Sequence, residues 1–329
     1  MNIDTHAHII VPEITRDAAP KDLWRPHVFL DGQRQVVEMG GIRLRSVPRD
    51  IVHVDTILAW MSAAGVERVL LCPFVGLLRY DADPGDALDS SRLQNDALAQ
   101  LVRTHPQRII ALGTVPLQDP HLAARELEAI MGKGGLRGVE IAASVRGVYL
   151  GDDRFRPFWE AAEASGAFVL IHPTTKEFDL PVLREYFMSN TVGNPLETTI
   201  TAAHMIMAGV MEAHPRLKVL LAHGGGAILS LRGRLRHAHS YHPQARARLR
   251  ESPEASLGRF YFDTITHDTG LLRALVDYAG PDHVVMGTDY PFDMGVERPV
   301  DAVRALELAP EHERKILGGN AAHLLGLAE

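Results

Sequence analysis

The sequence of 329 residues contains a single cysteine, Cys72. A disulfide within the chain is therefore excluded, and so is a zinc site built from several cysteines. The sequence has no apolar run of the roughly 18 residues that a spanning helix needs. It also shows no basic segment followed by an apolar one near its start, which is the pattern of a signal peptide. These absences lead us to expect a cytoplasmic protein.

The sequence also has no excess of positively charged residues. Lys and Arg number 34 against 41 Asp and Glu, which gives a formal net charge of −7. This balance offers no electrostatic reason to expect nucleic acid or an anionic membrane as a partner. The content of 46% hydrophobic and 23% charged residues is typical of a soluble globular protein. We therefore expect neither a nucleic-acid nor a membrane partner.

Short apolar runs recur along the chain, with helical patterns between them. They lie around Ile3 and at residues 68–72, 109–115, 138–141, 168–172, 219–223, 260–264 and 284–289. Runs without alternation are typical of parallel strands that are covered on both faces. Helical patterns at 55–64, 122–131 and 158–165 end at Gly65, Gly132 and Gly166. The pattern predicts an α/β fold, a (β/α)₈ TIM barrel, with an open doubly wound sheet as the alternative.

Two connections between the predicted strands are long. Residues 9–50 follow strand one, and residues 173–216 separate strands five and six. Both begin where a strand ends, so both are expected to rise over the active-site face of the barrel. No linker or repeat divides the chain. We therefore predict a single domain over residues 1–329, with an insertion at about 9–50 and another after strand five.

Five polar residues stand at the ends of the predicted strands. His6 and His8 form a His-x-His pair in strand one, and residues two apart in a strand point to the same face. His172, His223 and Asp289 each close a later apolar run. In a barrel the carboxyl ends of all strands converge on one face. A core histidine or a loop cap explains any one of these residues, but it explains the whole set poorly.

Three imidazoles and one carboxylate suit a single Zn²⁺ ion. Catalytic zinc keeps a position for water and lowers the pKa of that water towards ~7. Other divalent metals also accept nitrogen and oxygen ligands. The favoured ligand set is His6, His8, His172 and Asp289, which leaves His223 as an acid/base group beside the metal. The glycines that follow His223 allow backbone and substrate to approach closely.

The arrangement of these residues resembles the amidohydrolase superfamily. Similarity to its decarboxylase branch runs over nearly the whole chain and includes residues 112–118, 197–199, 207–210, 222–226 and 287–292. Binuclear members of the superfamily carry a carboxylated lysine on strand four. Residues 138–141 contain no lysine, which argues for one metal ion.

The resemblance also implies how a small carboxylated substrate is held. Arg45 lies where this branch has a carboxylate-binding arginine in its first insertion, and Arg234 matches one contributed by a neighbouring subunit of a homodimer. Arginine can hold a carboxylate through two parallel hydrogen bonds. The residues alone do not separate Arg45 from Arg43, or Arg234 from Arg232, because all four fit a solvated surface equally well.

The function that the resemblance implies is zinc-dependent, non-oxidative decarboxylation of a small unsaturated or aromatic acid, of the carboxymuconate-semialdehyde kind. His223 and Asp289 would be its catalytic residues. One alternative is a hydrolase or hydratase of the same superfamily that acts on a lactone, an ester or an unsaturated acid. Another is a barrel that binds ligands without catalysis. Thr174 stands where the branch has tryptophan, and residues 73–76 also depart from it, so the identity of the acid stays open.

Overall fold

The computed structural model describes residues 1–15, 25, 27–31, 34–39, 42–47, 49–175 and 180–327. In chain order its strands are β1 (Ile3–Ile9), β2 (His27–Asp31), β3 (Arg34–Met39), β4 (Ile42–Val47), β5 (Arg68–Pro73), β6 (Ile109–Ala111), β7 (Gly138–Ala142), β8 (Ser144–Val145), β9 (Val148–Tyr149), β10 (Phe168–His172), β11 (Lys218–Leu221), β12 (Tyr261–Asp263) and β13 (Val284–Val285).

Helices alternate with most of these strands. They are α1 (Pro12–Thr15), α2 (Val54–Ala64), α3 (Pro84–Thr104), α4 (Pro120–Lys133), α5 (Arg156–Ser165), α6 (Asn194–Met207), α7 (Val210–Ala213), α8 (Ile228–Tyr241), α9 (Pro253–Leu257), α10 (Thr269–Ala279), α11 (Pro299–Arg304), α12 (Pro310–Arg314) and α13 (Asn320–Leu324). Within the described residues, no helix combines the length and the apolar character that crossing a bilayer requires.

The parallel strands form a ring made of two ladders. One ladder has the order β1, β5 and β6, and the other has the order β7, β10, β11, β12 and β13. Isolated parallel bridges join the ladders at both seams, from Gly113 to Val139 and from Ala7 to Tyr290. The strands therefore follow one another around a barrel, and the predicted (β/α)₈ fold is confirmed.

Alternate residues of each barrel strand face two different apolar clusters. On β10, Phe168 and Leu170 belong to the cluster inside the barrel, whereas Val169 and Ile171 belong to the cluster between strands and helices. Both faces are buried, which is why these strands read as continuous apolar runs. The alternation also places the next inward position of β10 at its carboxyl end, and that position is His172.

A glycine follows each of the three predicted helices, but at one of them it is not the predicted glycine. Gly65 and Gly166 adopt left-handed backbone conformations directly after α2 and α5, as expected. The predicted stop at Gly132 is wrong, because α4 continues to Lys133 and Gly134 follows it with a φ of 73°. Glycine costs a helix only about 1 kcal/mol, so Gly132 can remain helical while the next glycine ends the helix.

The two predicted insertions both follow the carboxyl ends of barrel strands. After β1, the described residues include an antiparallel sheet of β2, β3 and β4. After β10, the described residues from 180 onwards form a 3₁₀ turn at Pro181–Arg184 and a π-helical turn at Ser189–Gly193, which leads directly into α6. The predicted insertions after strands one and five are thus confirmed at the face where the strand ends converge.

Candidate metal centre

The five polar residues predicted at strand ends meet at the carboxyl end of the barrel. His6 and His8 lie on β1, His172 ends β10, and His223 and Asp289 follow β11 and β13. The ring centroids of His6, His8 and His172 are 5.0 to 5.1 Å apart. The His223 ring lies 5.5 Å from that of His6 and 5.1 Å from that of His172. Strands that are distant in sequence thus bring four imidazoles around one carboxylate.

The two oxygens of Asp289 face different histidines. Its Oδ1 lies 3.5 Å from Nε2 of His6, 3.2 Å from Nε2 of His8 and 3.8 Å from Nε2 of His172. Its Oδ2 lies 3.5 Å from Nε2 of His223. Donors bound tetrahedrally to one zinc ion at 2.0–2.1 Å are roughly 3.4 Å apart. The spacing around Oδ1 is therefore close to that of ligands that share one ion.

The Nδ1 atoms of three histidines have acceptors that turn their Nε2 atoms towards the centre. Nδ1 of His6 donates to Oδ2 of Asp263 at 2.8 Å. Nδ1 of His8 and of His172 donate to the carbonyl oxygens of the proline residues at 73 and 173, at 3.3 and 2.7 Å. A ring that donates from Nδ1 keeps a lone pair on Nε2, which is the form that binds a metal.

Among the buried atoms that have no hydrogen-bond partner within the described residues, Nε2 of His172 and Oδ1 of Asp289 face each other at the centre. In addition, Nε2 of His6 and Nε2 of His8 are 3.2 Å apart, so two neutral rings that each donate from Nδ1 would point their lone pairs at each other. Buried polar atoms without partners are costly, and lone pairs that face each other repel. A cation bound between these atoms would satisfy all of them, so the side chains present fit a divalent metal.

The charge states of His172 and Asp289 suit a cation, whereas binding at His8 would displace a proton, because burial lowers the pKa of His8 but the carboxylates of Glu140 and Asp289 outweigh it and raise this pKa to about 9. Burial lowers the pKa of His172 to about 3, because the imidazolium form would lose its hydration. Burial opposes ionisation of Asp289, but the histidines around it favour the carboxylate form and hold the pKa of this carboxyl well below its usual range. A neutral imidazole and an ionised carboxylate are the forms in which these side chains bind metal ions.

Two ligand sets are compatible with this geometry. Ligand atoms of His6, His172, His223 and Asp289 all lie within 4.8 Å of one another. That set differs from the predicted one by including His223 in place of His8. The Nδ1 atom of His223 has no hydrogen-bond partner within the described chain, so nothing there fixes the tautomer of this ring as it does for the other three. His223 is also more accessible, with 14% of its side chain exposed against 0% for His8.

Asp263, at the end of β12, connects His6 with the turn that carries His223. Besides the bond from His6, its Oδ2 accepts a hydrogen bond from the backbone N–H of His223 at 2.9 Å. Its Oδ1 accepts from the N–H groups of Gly224 and Ile265 at 2.7 and 3.1 Å. His223 itself adopts a φ of 56°, a left-handed conformation that needs such support. One buried carboxylate therefore orients a candidate ligand and the candidate acid together.

Replacing Asp263 by asparagine is expected to weaken metal binding about 10- to 100-fold, the usual effect of losing a group that orients a ligand. An amide has one acceptor oxygen in place of two, so His6 or the His223 turn loses its support. Competition against a chelator measures the affinity, and Asp268→Asn, at the exposed N-cap of α10, is the control. Unchanged metal affinity in folded Asp263→Asn protein would contradict this role.

Glu197, on α6, holds the segment that follows β10. Its side chain is fully buried, and Oε2 accepts hydrogen bonds from the backbone N–H groups of Thr174 and Thr175 at 2.8 and 2.7 Å. Oε1 accepts from the hydroxyl of Ser144 at 2.8 Å. The backbone of Thr174 is thus held in place two residues after His172.

The structure describes the side chain of only one of the two predicted substrate-binding arginines. Arg45 belongs to β4, but its side chain lies outside the described part of the chain. Arg234 is exposed on α8, and no described carboxylate lies within ion-pair distance of it. Its neighbours are engaged, since Arg232 lies 4.8 Å above the ring of Tyr278 and Arg236 pairs with Glu254 at 3.0 Å. The structure thus separates Arg234 from its neighbours, which the sequence does not.

Sequence reasoning assigned no role to two buried carboxylates of the site. Asp263 closes an apolar run just as Asp289 does, so the same signal identifies it. Glu140 lies on β7, and its Oε1 is 3.8 Å from Nδ1 of His8. Burial raises the pKa of Glu140 to about 8, and neither oxygen has a hydrogen-bond partner among the residues described. Only the folded barrel shows that this carboxyl lies behind a candidate ligand.

Known proteins share both the sequence and the fold. The Amidohydrolase family profile matches residues 3–327. The 2-amino-3-carboxymuconate-6-semialdehyde decarboxylase of Dictyostelium discoideum is 32% identical over 332 residues, covering 99% of this chain and 92% of that protein. The gamma-resorcylate decarboxylase of Rhizobium radiobacter is 26% identical, with 97% and 96% covered. The crystal structure of 5-carboxyvanillate decarboxylase from Sphingomonas paucimobilis superposes with a TM-score of 0.83 at 27% identity, over 99% of each chain.

These matches extend over nearly the entire chain, and the regions they cover include all five residues of the centre. The resemblance inferred from the strand-end histidines and Asp289 is thereby confirmed at the level of the family. The chain belongs to the amidohydrolase family, within the decarboxylase branch of that superfamily.

Proposed function

We propose that this protein is a metal-dependent, non-oxidative decarboxylase of a small unsaturated or aromatic carboxylic acid. The observation that carries the proposal is the buried cluster in which Nε2 atoms of His6, His8 and His172 surround Oδ1 of Asp289, while His223 faces Oδ2. Relatives that are similar over nearly the whole chain are decarboxylases of such acids, which supports the same reaction class for this chain.

His6, His8, His172 and Asp289 would hold one divalent ion, which we propose to be Zn²⁺. Imidazole nitrogen and carboxylate oxygen are both common ligands of zinc in proteins. When bound, such an ion supplies Lewis-acid polarisation of oxygen atoms. Asp263 holds His6 in place, and the carbonyl groups at positions 73 and 173 hold His8 and His172.

His223 is proposed to act as the general acid. It is the most exposed of the four histidines at the centre, with 14% of its side chain accessible, and its Nε2 lies 3.5 Å from Oδ2 of Asp289. A proton held between these groups can be delivered to the substrate carbon that carries the carboxylate. The bond from that carbon to the carboxylate then breaks, its electron pair returns to the unsaturated system, and CO₂ leaves. The net reaction consumes one proton and exchanges CO₂ for hydrogen, with no oxidant.

Arg45 and Arg234 are proposed to orient substrate carboxylates, with Arg234 reaching the site of a second copy in a homodimer. The exposed guanidinium of Arg234 on α8 supports this, because its neighbours Arg232 and Arg236 already have partners within the chain. In a two-fold dimer the exchange would be reciprocal, so each subunit would complete the site of the other.

Mixing two inactive variants tests the shared site. Arg234→Ala and His223→Ala proteins are expected to be weak alone, and mixed dimers contain one intact site each. Random exchange of subunits should therefore restore about a quarter of the wild-type activity, since half of the dimers are mixed and each has one of two sites intact. Arg232→Ala in place of Arg234→Ala is the control. A mixture no more active than its components would contradict a site shared between subunits.

The reaction class is tested by release of CO₂. Purified metal-loaded protein would be incubated with carboxymuconate-type and hydroxybenzoate-type acids, and both CO₂ and the protonated product would be measured. Decarboxylation of at least one acid, lost after chelation and restored by metal, is the expected result. Hydrolysis of lactones or esters by the same preparation, with no CO₂ from any acid, would instead favour a hydrolase.

We also propose that residues 1–329 act as one domain. The cytoplasmic location stays a prediction from the sequence.

A further inference from the structure

A cavity of about 200 Å³ opens beside His223. Its walls come from the residues around the start of α6, from the loop between β12 and α10, and from Met294. A cavity of roughly 150 Å³ accommodates benzene. The space next to the candidate acid therefore suits one six-membered ring with a few small substituents, and not a much larger molecule.

One wall of this cavity carries amide groups. Asn190 lies in the π-helical turn before α6 and Asn194 is the first residue of α6, so the two are one helical turn apart. Both line the cavity, and neither side-chain amide has a hydrogen-bond partner within the described structure. The hydroxyl of Thr191, between them, is already used, since it donates to the carbonyl oxygen of Phe187 at 3.3 Å. Each free amide offers both donors and an acceptor to a ligand.

The same cavity contains few other polar groups. His267 also lines the cavity, while Ile265, Leu271 and Met294 supply apolar surface. Its described lining includes no Lys, Arg, Asp or Glu. A second carboxylate placed in this cavity would lack the cation that usually accompanies a desolvated anion. A neutral oxygen group needs no such partner, and amides both donate to it and accept from it.

We propose that Asn190 and Asn194, assisted by His267, determine specificity by binding a ring hydroxyl of the substrate on the side that points away from the metal. This inference rests on the proposed function, because the decarboxylase assignment places the reacting carbon at His223. The hydroxyl would be opposite the departing carboxylate on a single ring. The asparagines do not touch the reacting carbon, so they act on selection among acids and not on the proton transfer itself.

Two benzoates provide the test, one with a hydroxyl opposite the carboxylate and one with a methyl group there. Their dissociation constants from zinc-loaded holoenzyme would be measured by calorimetry, independently of turnover. We expect the hydroxyl compound to bind at least about 10-fold more tightly, as two hydrogen bonds of ordinary net strength allow. Asn190→Leu/Asn194→Leu protein should lose this preference, whereas Ser189→Ala, at the exposed residue next to Asn190, should keep it.

Equal binding of the two benzoates to wild type, tighter binding of the methyl compound, or failure of both to bind would overturn the inference. So would a preference that survives the double substitution. If the double variant does not fold, Asn190→Leu alone and His267→Leu are each expected to reduce the preference several-fold. CO₂ release is scored separately. A hydroxyl preference that depends on the asparagines, with no CO₂ from any acid, would support this cavity wall as a binding site and would contradict decarboxylation.

Discussion

Replacing His223 by alanine is expected to lower the rate of CO₂ release by at least about 10²-fold while metal content stays at the wild-type level. General acid catalysis usually contributes 10²–10⁴-fold, and alanine leaves no group to carry the proton. The metal should remain because Nε2 of His223 faces Oδ2 of Asp289, whereas the three proposed histidine ligands face Oδ1. Activity assays and metal analysis on the same preparation measure both quantities.

His8→Ala is the matched comparison for His223→Ala. The two histidines belong to the same cluster, but His8 donates from Nδ1 to the carbonyl oxygen at position 73, and this bond directs its Nε2 towards the centre. We expect His8→Ala to lose metal and activity together. The reverse pattern, with metal lost from His223→Ala and kept by His8→Ala, would establish His6, His172, His223 and Asp289 as the ligand set instead.

The second large effect is expected for His172→Ala, which should weaken metal binding by more than about 100-fold. Losing a residue that only orients a ligand costs 10- to 100-fold, so losing a ligand costs more. Metal at 100 times its dissociation constant stabilises the wild-type fold by about 2.7 kcal/mol, and the variant should lose most of that increment. Thermal unfolding with and without added zinc measures the difference.

His239→Ala is the control for His172→Ala. His239 lies on α8, and its Nε2 contacts the carbonyl oxygen of Leu249 at 3.0 Å, with no part in the metal centre. This variant should keep the full stabilisation by zinc. A zinc-dependent rise in unfolding temperature that is the same in His172→Ala and in wild type would mean that His172 is not a ligand.

The prediction of the site from the sequence depended on the residues at the ends of the barrel strands. His172 and Asp289 are each the polar residue that closes an apolar run, and a parallel barrel gathers such positions on one face. The two-residue periodicity of a strand was enough to predict that the two histidines of β1 point to the same face. Strand registers and ring distances were not needed to predict which of these residues meet, because topology alone brings the strand ends together.

Other features of the site depend on packing that a sequence does not display. Glu140 reads as an interruption of an apolar strand, and only the barrel shows that it lies behind His8. The structure distinguishes Arg234 from Arg232, because the guanidinium of Arg232 lies over the ring of Tyr278. The polar cavity wall joins Asn190 with His267, which come from connections far apart in the chain, and no local pattern relates them.

Counting metal ions tests most directly whether one cation binds among the strand-end histidines and Asp289. Elemental analysis by mass spectrometry of wild-type protein, loaded with zinc and freed of unbound ions, gives the number of divalent ions per chain. We expect one ion per chain. Protein that keeps none, or that binds two with similar affinity, would contradict the single-metal centre on which the proposed decarboxylase depends.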